Sequence, residues 1–421
     1  MMKRVFGIVA LLISFPLFAQ ELITFSLKAN RDYLDVPVSF PLQQVNYNMD
    51  SVQLELFEIV NSAEKPVACQ VEAGHTAHLW FILEGFTQKN RTRRFVIKRR
   101  SGGLAKKRSA SMSTKSSDGN LTLYTDDKPV LSYRFRTMYP PEGVNPLFER
   151  SGFIHPVWSP QGEMLSRVQP PDHYHHYGIW GPWTLTHIGE RKVDFWNLAD
   201  GEGTVRFAGF LSEVSGDVFA GFKALQQHID FGGKGCDQIA INEILDVRVW
   251  NNSRGVWVID YTTSLNTPLE NGILFDAYRY GGGIGFRATE RWNRENCTVL
   301  TSEGRSRADA DGSSARWCIV EGESESREGR SGILFLSHPA NRAHPEPMRV
   351  WPLDGNGGRG DLFFEFTPIR HKSWELKRGS DYALKYRMIV FDGKIDPRTA
   401  EMYWNSFSEM PQIKVESIKY Q

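Results

Sequence analysis

IAINEILDVRVWNNSRGVWVIDYTTSL, residues 239–265, decides the fold class. Its two runs are rich in β-branched and aromatic residues with period-2 patterning, the mark of strands that bury one face. Between them, Trp250-Asn251-Asn252-Ser253-Arg254-Gly255 reads as a hairpin connection joining two long antiparallel strands.

The same pattern recurs along the chain in VQLELFEIV (52–60), HLWFIL (78–83), LTLY (121–124), PVLSYRF (129–135), SGILFLS (331–337), DLFFEF (361–366) and DYALKYRMIVF (381–391). Gly, Asn and Asp separate these runs, which predicts a mainly β protein built from antiparallel sheets. One helix is expected near the end, where Asp396 can cap and Pro397 suits the first helical position. The glycine cluster RYGGGIGF (279–286) lacks the strand-to-helix context of a phosphate cradle and reads as a turn.

RRSGGLAKKRSASMSTKSSDGN, residues 99–120, has almost no apolar side chains and reads as a linker or long exposed loop. It divides the chain into a small N-terminal β domain over 21–98 and a large β-sandwich with a short C-terminal helix over 121–421. The basic residues from Arg91 to Lys115 suit an acidic polysaccharide or a solvated linker. Residues 1–20, MMKRVFGIVALLISFPLFAQ, combine Lys3 and Arg4 with an apolar run that Pro16 interrupts. This predicts a signal peptide and a periplasmic or secreted protein, since a spanning helix needs about 20 apolar residues. A formal net charge of +1 announces no nucleic-acid partner, and no later run is long enough to span a bilayer. Of the four cysteines, Cys297 and Cys318 are close enough in sequence to bridge if their strands are neighbours, and free core thiols fit equally well.

The chemistry concentrates in PPDHYHHYGIWGPW, residues 170–183, which holds three of the eleven histidines. On an extended segment His173 and His175 would share one face, with Asp172 and His176 on the other. Two imidazoles on one face are most of a metal site, so His173, His175 and His338 are candidate ligands for one divalent ion, with His344, His155 and His187 as substitutes for the third. Read without metal, the same residues are general acids and bases. Asp172 or a second histidine would orient them, and Arg287 or Arg342 would stabilise an oxyanion. Trp180 and Trp183 are candidates to stack on a sugar ring.

Six blocks in order carry a family resemblance: ArgSerGlyPheIleHisPro (150–156) with SerProGlnGlyGlu (159–163), ProAspHisTyrHisHisTyrGlyIleTrp (171–180), ValAspPheTrpAsn (193–197), TyrGlyGlyGlyIleGlyPheArgAla (280–288), SerHisProAlaAsnArg (337–342) and TyrArgMetIleValPheAspGly (386–393). On these the stretch from about Leu121 onward resembles the PmoA-like family of exported bacterial proteins, a domain of unknown function that also bears a methane oxygenase label. The family pattern HPHHRG stands here as HYHHYG, with Tyr174 and Tyr177 replacing Pro and Arg. That departure removes any substrate contact the family arginine makes. Copper-dependent methane oxidation does not suit a chain without a spanning helix.

The resemblance implies a galactose mutarotase-like sandwich, a fold shared by many polysaccharide lyases and glycoside hydrolase appendages. It implies a carbohydrate-active enzyme, whether hydrolase, lyase or epimerase, acting on a glycoside or uronic-acid-containing oligosaccharide or polysaccharide. His175, His176, His338 and Asp172 are its expected acid/base group, and Trp180, Arg150, Arg287, Asn341 and Arg342 its expected substrate contacts. Two other classes compete: a non-catalytic glycan-binding protein and an iron or copper oxidase.

Overall fold

The quoted stretch folds as an antiparallel pair, Gln238–Trp250 with Trp257–Asn266, in which Trp250 lies opposite Val258. In the computed structural model, which describes residues 20–43, 53–100, 111–232 and 235–419, this hairpin is the centre of an eight-stranded sheet. The sheet runs in the order Gly203–Val214, Phe219–Asp230, Gln238–Trp250, Trp257–Asn266, Tyr382–Asp392, Arg330–Ser337, Trp317–Glu323 and Cys297–Thr301.

A nine-stranded sheet packs against it. Its central strands are Glu346–Val350, Phe363–Phe366, Ile284–Arg287, Ile179–Trp180, Phe153–Val157 and Lys128–Arg134. Alternation sends Ile154, Ile179, Phe286, Phe364 and Met348 into the shared core. There Phe335 of the opposite sheet meets Phe286 and Phe364 at ring distances of 5.4 and 4.7 Å. The result is a large antiparallel β-sandwich.

Side chains of the other parity face outward. On the nine-stranded sheet these are Phe153, Trp180, Arg287 and Phe363. On the eight-stranded sheet they are Trp250, Leu334, Leu336 and Ile389, covered by the helix Pro397–Ser408 and by Leu34 and Ile82 of the small domain. The helix starts as its sequence requires, with Asp396 accepting from the Thr399 backbone N–H at 2.9 Å.

The small domain is a second sandwich, with five strands facing three and a core of Phe25, Phe40, Phe81 and Phe95. Its five-stranded sheet is not built from the N-terminal segment alone. Gln412–Ile418 pairs antiparallel with the strand starting at Gln20, so residues assigned by sequence to the large domain complete the small one. A C-terminal strand separated by almost 400 residues from its partner leaves no local signal of that pairing. The two units are joined by Glu72, which accepts two hydrogen bonds from Arg248 at 2.9 Å each, and by Trp80, which packs 5.3 Å from Trp250.

The stretch 99–120 is not a continuous linker. Met112–Ser117 is the outermost strand of the nine-stranded sheet and pairs with Asn120–Thr125. Only Met112 of that strand is fully buried, so its composition mimics a solvated loop. Residues 101–110 and the signal-peptide reading of 1–19 lie outside the described residues. Among the described residues no helix is long and apolar enough to cross a membrane. Cys297 and Cys318 do lie on neighbouring strands, but Cys297 is opposite Gly322 and Cys318 opposite Thr301, and both are free thiols.

Candidate functional site

Residues 170–177 do not form an extended segment. Pro170 and Pro171 lead into two successive turns, with His173 N–H donating to the Pro170 carbonyl at 2.8 Å and His176 N–H to the His173 carbonyl at 3.0 Å. The turns close where Gln169 N–H meets the His176 carbonyl and Val168 bridges Tyr177. The expected sorting of side chains onto two faces therefore does not occur. All three imidazoles cluster, with ring centroids 4.8 Å apart for His173 and His176, 4.8 Å for His175 and His176, and 5.5 Å for His173 and His175. Gly178 ends the turn at φ +68°, where a Cβ would come within 2.3 Å of the Ile154 carbonyl oxygen.

The cluster lies on the outer face of the nine-stranded sheet. His176 is buried beneath it, against Phe363, Trp180, Trp196 and Trp351. Its Nδ1 has no protein partner, and burial holds its ring well below the usual histidine range, helped by His175 and Arg287. Burial likewise brings His175 down to about 4, with His173 and Arg287 adding to the effect, so both rings are neutral at neutral pH. His173 is the outer member, with Nδ1 2.9 Å from Oδ2 of Asp172 and its ring 4.9 Å from Trp351. Burial raises the Asp172 carboxyl, but hydrogen bonds from His173 and Asn356 and the Arg287 charge outweigh this and hold it at about 2.

Below this pair sits Arg287, 1% exposed. Its Nη2 donates to Asp361 at 2.5 Å and stands 3.8 Å from Asp172, and its guanidinium lies 4.8 Å from the Trp351 ring. Nε and Nη1 are buried without a protein partner. Asn356 ties the two carboxylates together, its amide donating to both Asp172 and Asp361. It sits at φ +52° in the loop DGNGGRGD, residues 354–361.

The other expected residues are placed elsewhere. His338 follows the strand Arg330–Ser337 on the opposite side of the sandwich. Its ring packs 5.1 Å from Phe407 of the helix and lines a cavity of about 370 Å³ with Trp80, Arg248 and Arg387. The ligand set His173, His175 and His338 is therefore not assembled. His155 bonds Ser166, His187 pairs with Asp276 and His344 stacks on Trp404, so none replaces it. Among the described residues no group of three or more His, Cys, Asp or Glu could hold a metal, and the site does not fit one.

Arg150 is 2% exposed, donating to the Phe195 carbonyl with its guanidinium over Tyr177. Asn341 is buried against Glu346, Ser337 and the Lys385 carbonyl, and Arg342 donates to the Ser373 carbonyl over the Trp374 ring. Trp183 stacks on Phe275 at 4.4 Å in the core, and Trp180 is 1% exposed, so neither offers a face to a sugar.

A model of a family of unknown function, DUF6807, matches residues 120–405. The chain belongs to this family. The DUF6807 match opens in the strand Asn120–Thr125 and ends within the helix Pro397–Ser408, so it takes in the eight-stranded sheet, all of the nine-stranded sheet except its edge strand Met112–Ser117, and every residue of the histidine site. The small β domain and its C-terminal strand fall outside it. No curated protein matches the chain.

Sequence reading missed Asp361, Asn356, Trp196 and Trp351 as members of the site. The glycine-rich loop ending in Asp361 carried a usable signal, because glycines clustered before an acidic residue mark a backbone shaped to present it.

Proposed function

We propose that this protein is an exported carbohydrate-active enzyme that abstracts a proton next to the carboxylate of a uronic-acid-containing oligosaccharide. The observation that carries this is the juxtaposition of the Asp172–His173 pair with Arg287, a buried cation two of whose N–H groups have no protein acceptor. Buried donors without acceptors cost about 1–3 kcal/mol each, and a substrate carboxylate is a natural acceptor for them. Neutralising that carboxylate also acidifies the adjacent C–H. With Nδ1 fixed by Asp172, His173 presents Nε2 as the base.

The same geometry argues against glycoside hydrolysis by two carboxylates. That chemistry needs one carboxyl to give up a proton and a second to act as base or nucleophile. Asp172, held at about 2, is ionised and cannot donate. Asp361 is 4% exposed and bound to Arg287 and Arg359. A binding-only role is disfavoured because Trp180, Trp196 and Trp351 are all under 7% exposed and serve as floor beneath the histidines.

Purified protein is to be incubated with oligosaccharides containing glucuronate, galacturonate or mannuronate in deuterated water, and the products followed by NMR and ultraviolet absorbance. Exchange at C5 or formation of an unsaturated uronate is expected, and both are lost in His173→Gln. Turnover of neutral oligosaccharides alone would overturn the reading.

A further inference from the structure

Tyr280 stands at the start of the glycine turn, where Gly281, Gly282 and Gly283 all take positive φ. The turn is pinned by Gly281 N–H donating to Glu365 at 2.7 Å and Gly282 N–H donating to the Pro182 carbonyl at 3.0 Å. A Cβ on Gly282 would lie 1.8 Å from the Trp183 ring, so the backbone here has one place to go. This sets the Tyr280 ring 5.2 Å from Trp196 and 6.0 Å from Phe363, on the floor shared with the histidines.

Its hydroxyl oxygen accepts two hydrogen bonds, from Nη2 of Arg349 at 3.0 Å and from Nε1 of Trp351 at 3.1 Å. Arg349 is itself anchored by Asp311 at 2.7 Å. A phenol oxygen has two lone pairs and one proton. With both lone pairs engaged, the proton remains to be given away, and no acceptor for it is found among the described residues. His173 touches the same Trp351 ring at 4.9 Å. One indole therefore borders both a proton acceptor, Nε2 of His173, and a committed proton donor, the Tyr280 hydroxyl.

We propose that Tyr280 is the acid of a β-elimination, protonating the departing glycosidic oxygen at C4 of a uronate. This rests on the proton-abstraction reading above and names its outcome. Nε2 of His173 takes the proton from C5, and the C–H electron pair becomes the C4=C5 double bond. The C4–O4 bond breaks, and the pair left on O4 takes the Tyr280 proton. Imidazolium and phenolate then restore each other through solvent. The products are a shortened saccharide and one unsaturated uronate, with no water or oxidant consumed. Epimerisation would instead need a second group to return a proton to C5 from the opposite face. Tyr280, whose lone pairs are filled, is arranged to serve an oxygen that is gaining charge.

The test compares two uronosides, one bearing a sugar at O4 and one bearing fluorine at C4, since fluoride departs without needing a proton. Tyr280→Phe keeps the ring contacts and removes only the hydroxyl. It is expected to slow the sugar-leaving substrate by about 10²–10⁴-fold, the usual worth of positioned proton transfer, while fluoride release stays within severalfold of wild type. Equal losses on both substrates, or none on either, would overturn the role of Tyr280 and leave the reading of the site standing. A wild-type protein that forms no unsaturated product from either substrate, yet exchanges deuterium at C5, overturns elimination alone. Failure of both exchange and elimination overturns the site reading and this role with it.

Discussion

Asp361 holds Arg287 across 74 positions of sequence, its Oδ2 accepting from Nη2 at 2.5 Å with the two side chains 4% and 1% exposed. Removing one partner of a buried ion pair strands the other, a cost of about 3–5 kcal/mol. Asp361→Ala is therefore expected to lower stability by that amount in denaturant titration. The double variant Asp361→Leu with Arg287→Met should recover most of the loss, because it leaves no buried charge. A single variant as stable as wild type would show that the pair does not hold the site together.

The two histidine locations can be told apart by activity. His173→Gln should reduce turnover of uronate oligosaccharides by about 10²–10⁴-fold. Asp172→Asn should move in the same direction, since Nδ1 of His173 loses the carboxylate that orients it. His338→Ala, altering a ring packed on Phe407 across the sandwich, should leave turnover unchanged. The reverse pattern would place the chemistry on the far sheet.

Those two locations also show how far the sequence could be read. Alternation gave the hairpin 239–265, because side-chain direction along a strand is a local property. The helix was legible for the same reason, in Asp396 followed by Pro397. Which face of the sandwich a loop residue serves is not local: both sheets show the same alternation, so nothing in SerHisProAlaAsnArg distinguishes the helix side from the histidine side. The turns at 170–177 defeated the extended reading because the hydrogen bonds that close them come from the loop's own backbone rather than a neighbouring strand. For Asp361 and Asn356 the glycine-rich loop signals a presented carboxylate, but not its partners, since Arg287 and Asp172 are reached only through folding.

Glu346 makes stability depend on pH. Burial raises its carboxyl from the usual 4.5 to about 7, against hydrogen bonds from Tyr386, Ser337 and Asn341 that pull it down. Between these values the folded chain keeps a proton that the unfolded chain has released. Its contribution is thus fully present below about pH 4.5 and is lost as pH rises to about 7, a change on the order of 3 kcal/mol. Glu365, buried on the adjacent strand and also raised, acts in the same direction. Glu346→Gln should flatten the decline in melting temperature across this window. An unchanged slope would assign the pH dependence to other groups.

The strand Gln412–Ile418 covers the edge of the strand that begins at Gln20, and Ile413 and Ile418 pack on the small-domain core. Deleting residues 411–421 removes those contacts and exposes a row of unpaired backbone groups, an invitation to intermolecular pairing. The loss of two half-buried isoleucines should destabilise the small domain by about 2–4 kcal/mol. The large sandwich keeps its own core, and the helix Pro397–Ser408 that covers it remains in the shortened chain. Calorimetry is therefore expected to resolve a small-domain transition at lower temperature, with the second transition near that of the full chain. Light scattering should show association as the first transition begins. If the truncated protein melted in one transition at the wild-type temperature and stayed monomeric, the returning strand would be an ornament of the small domain rather than part of what holds it.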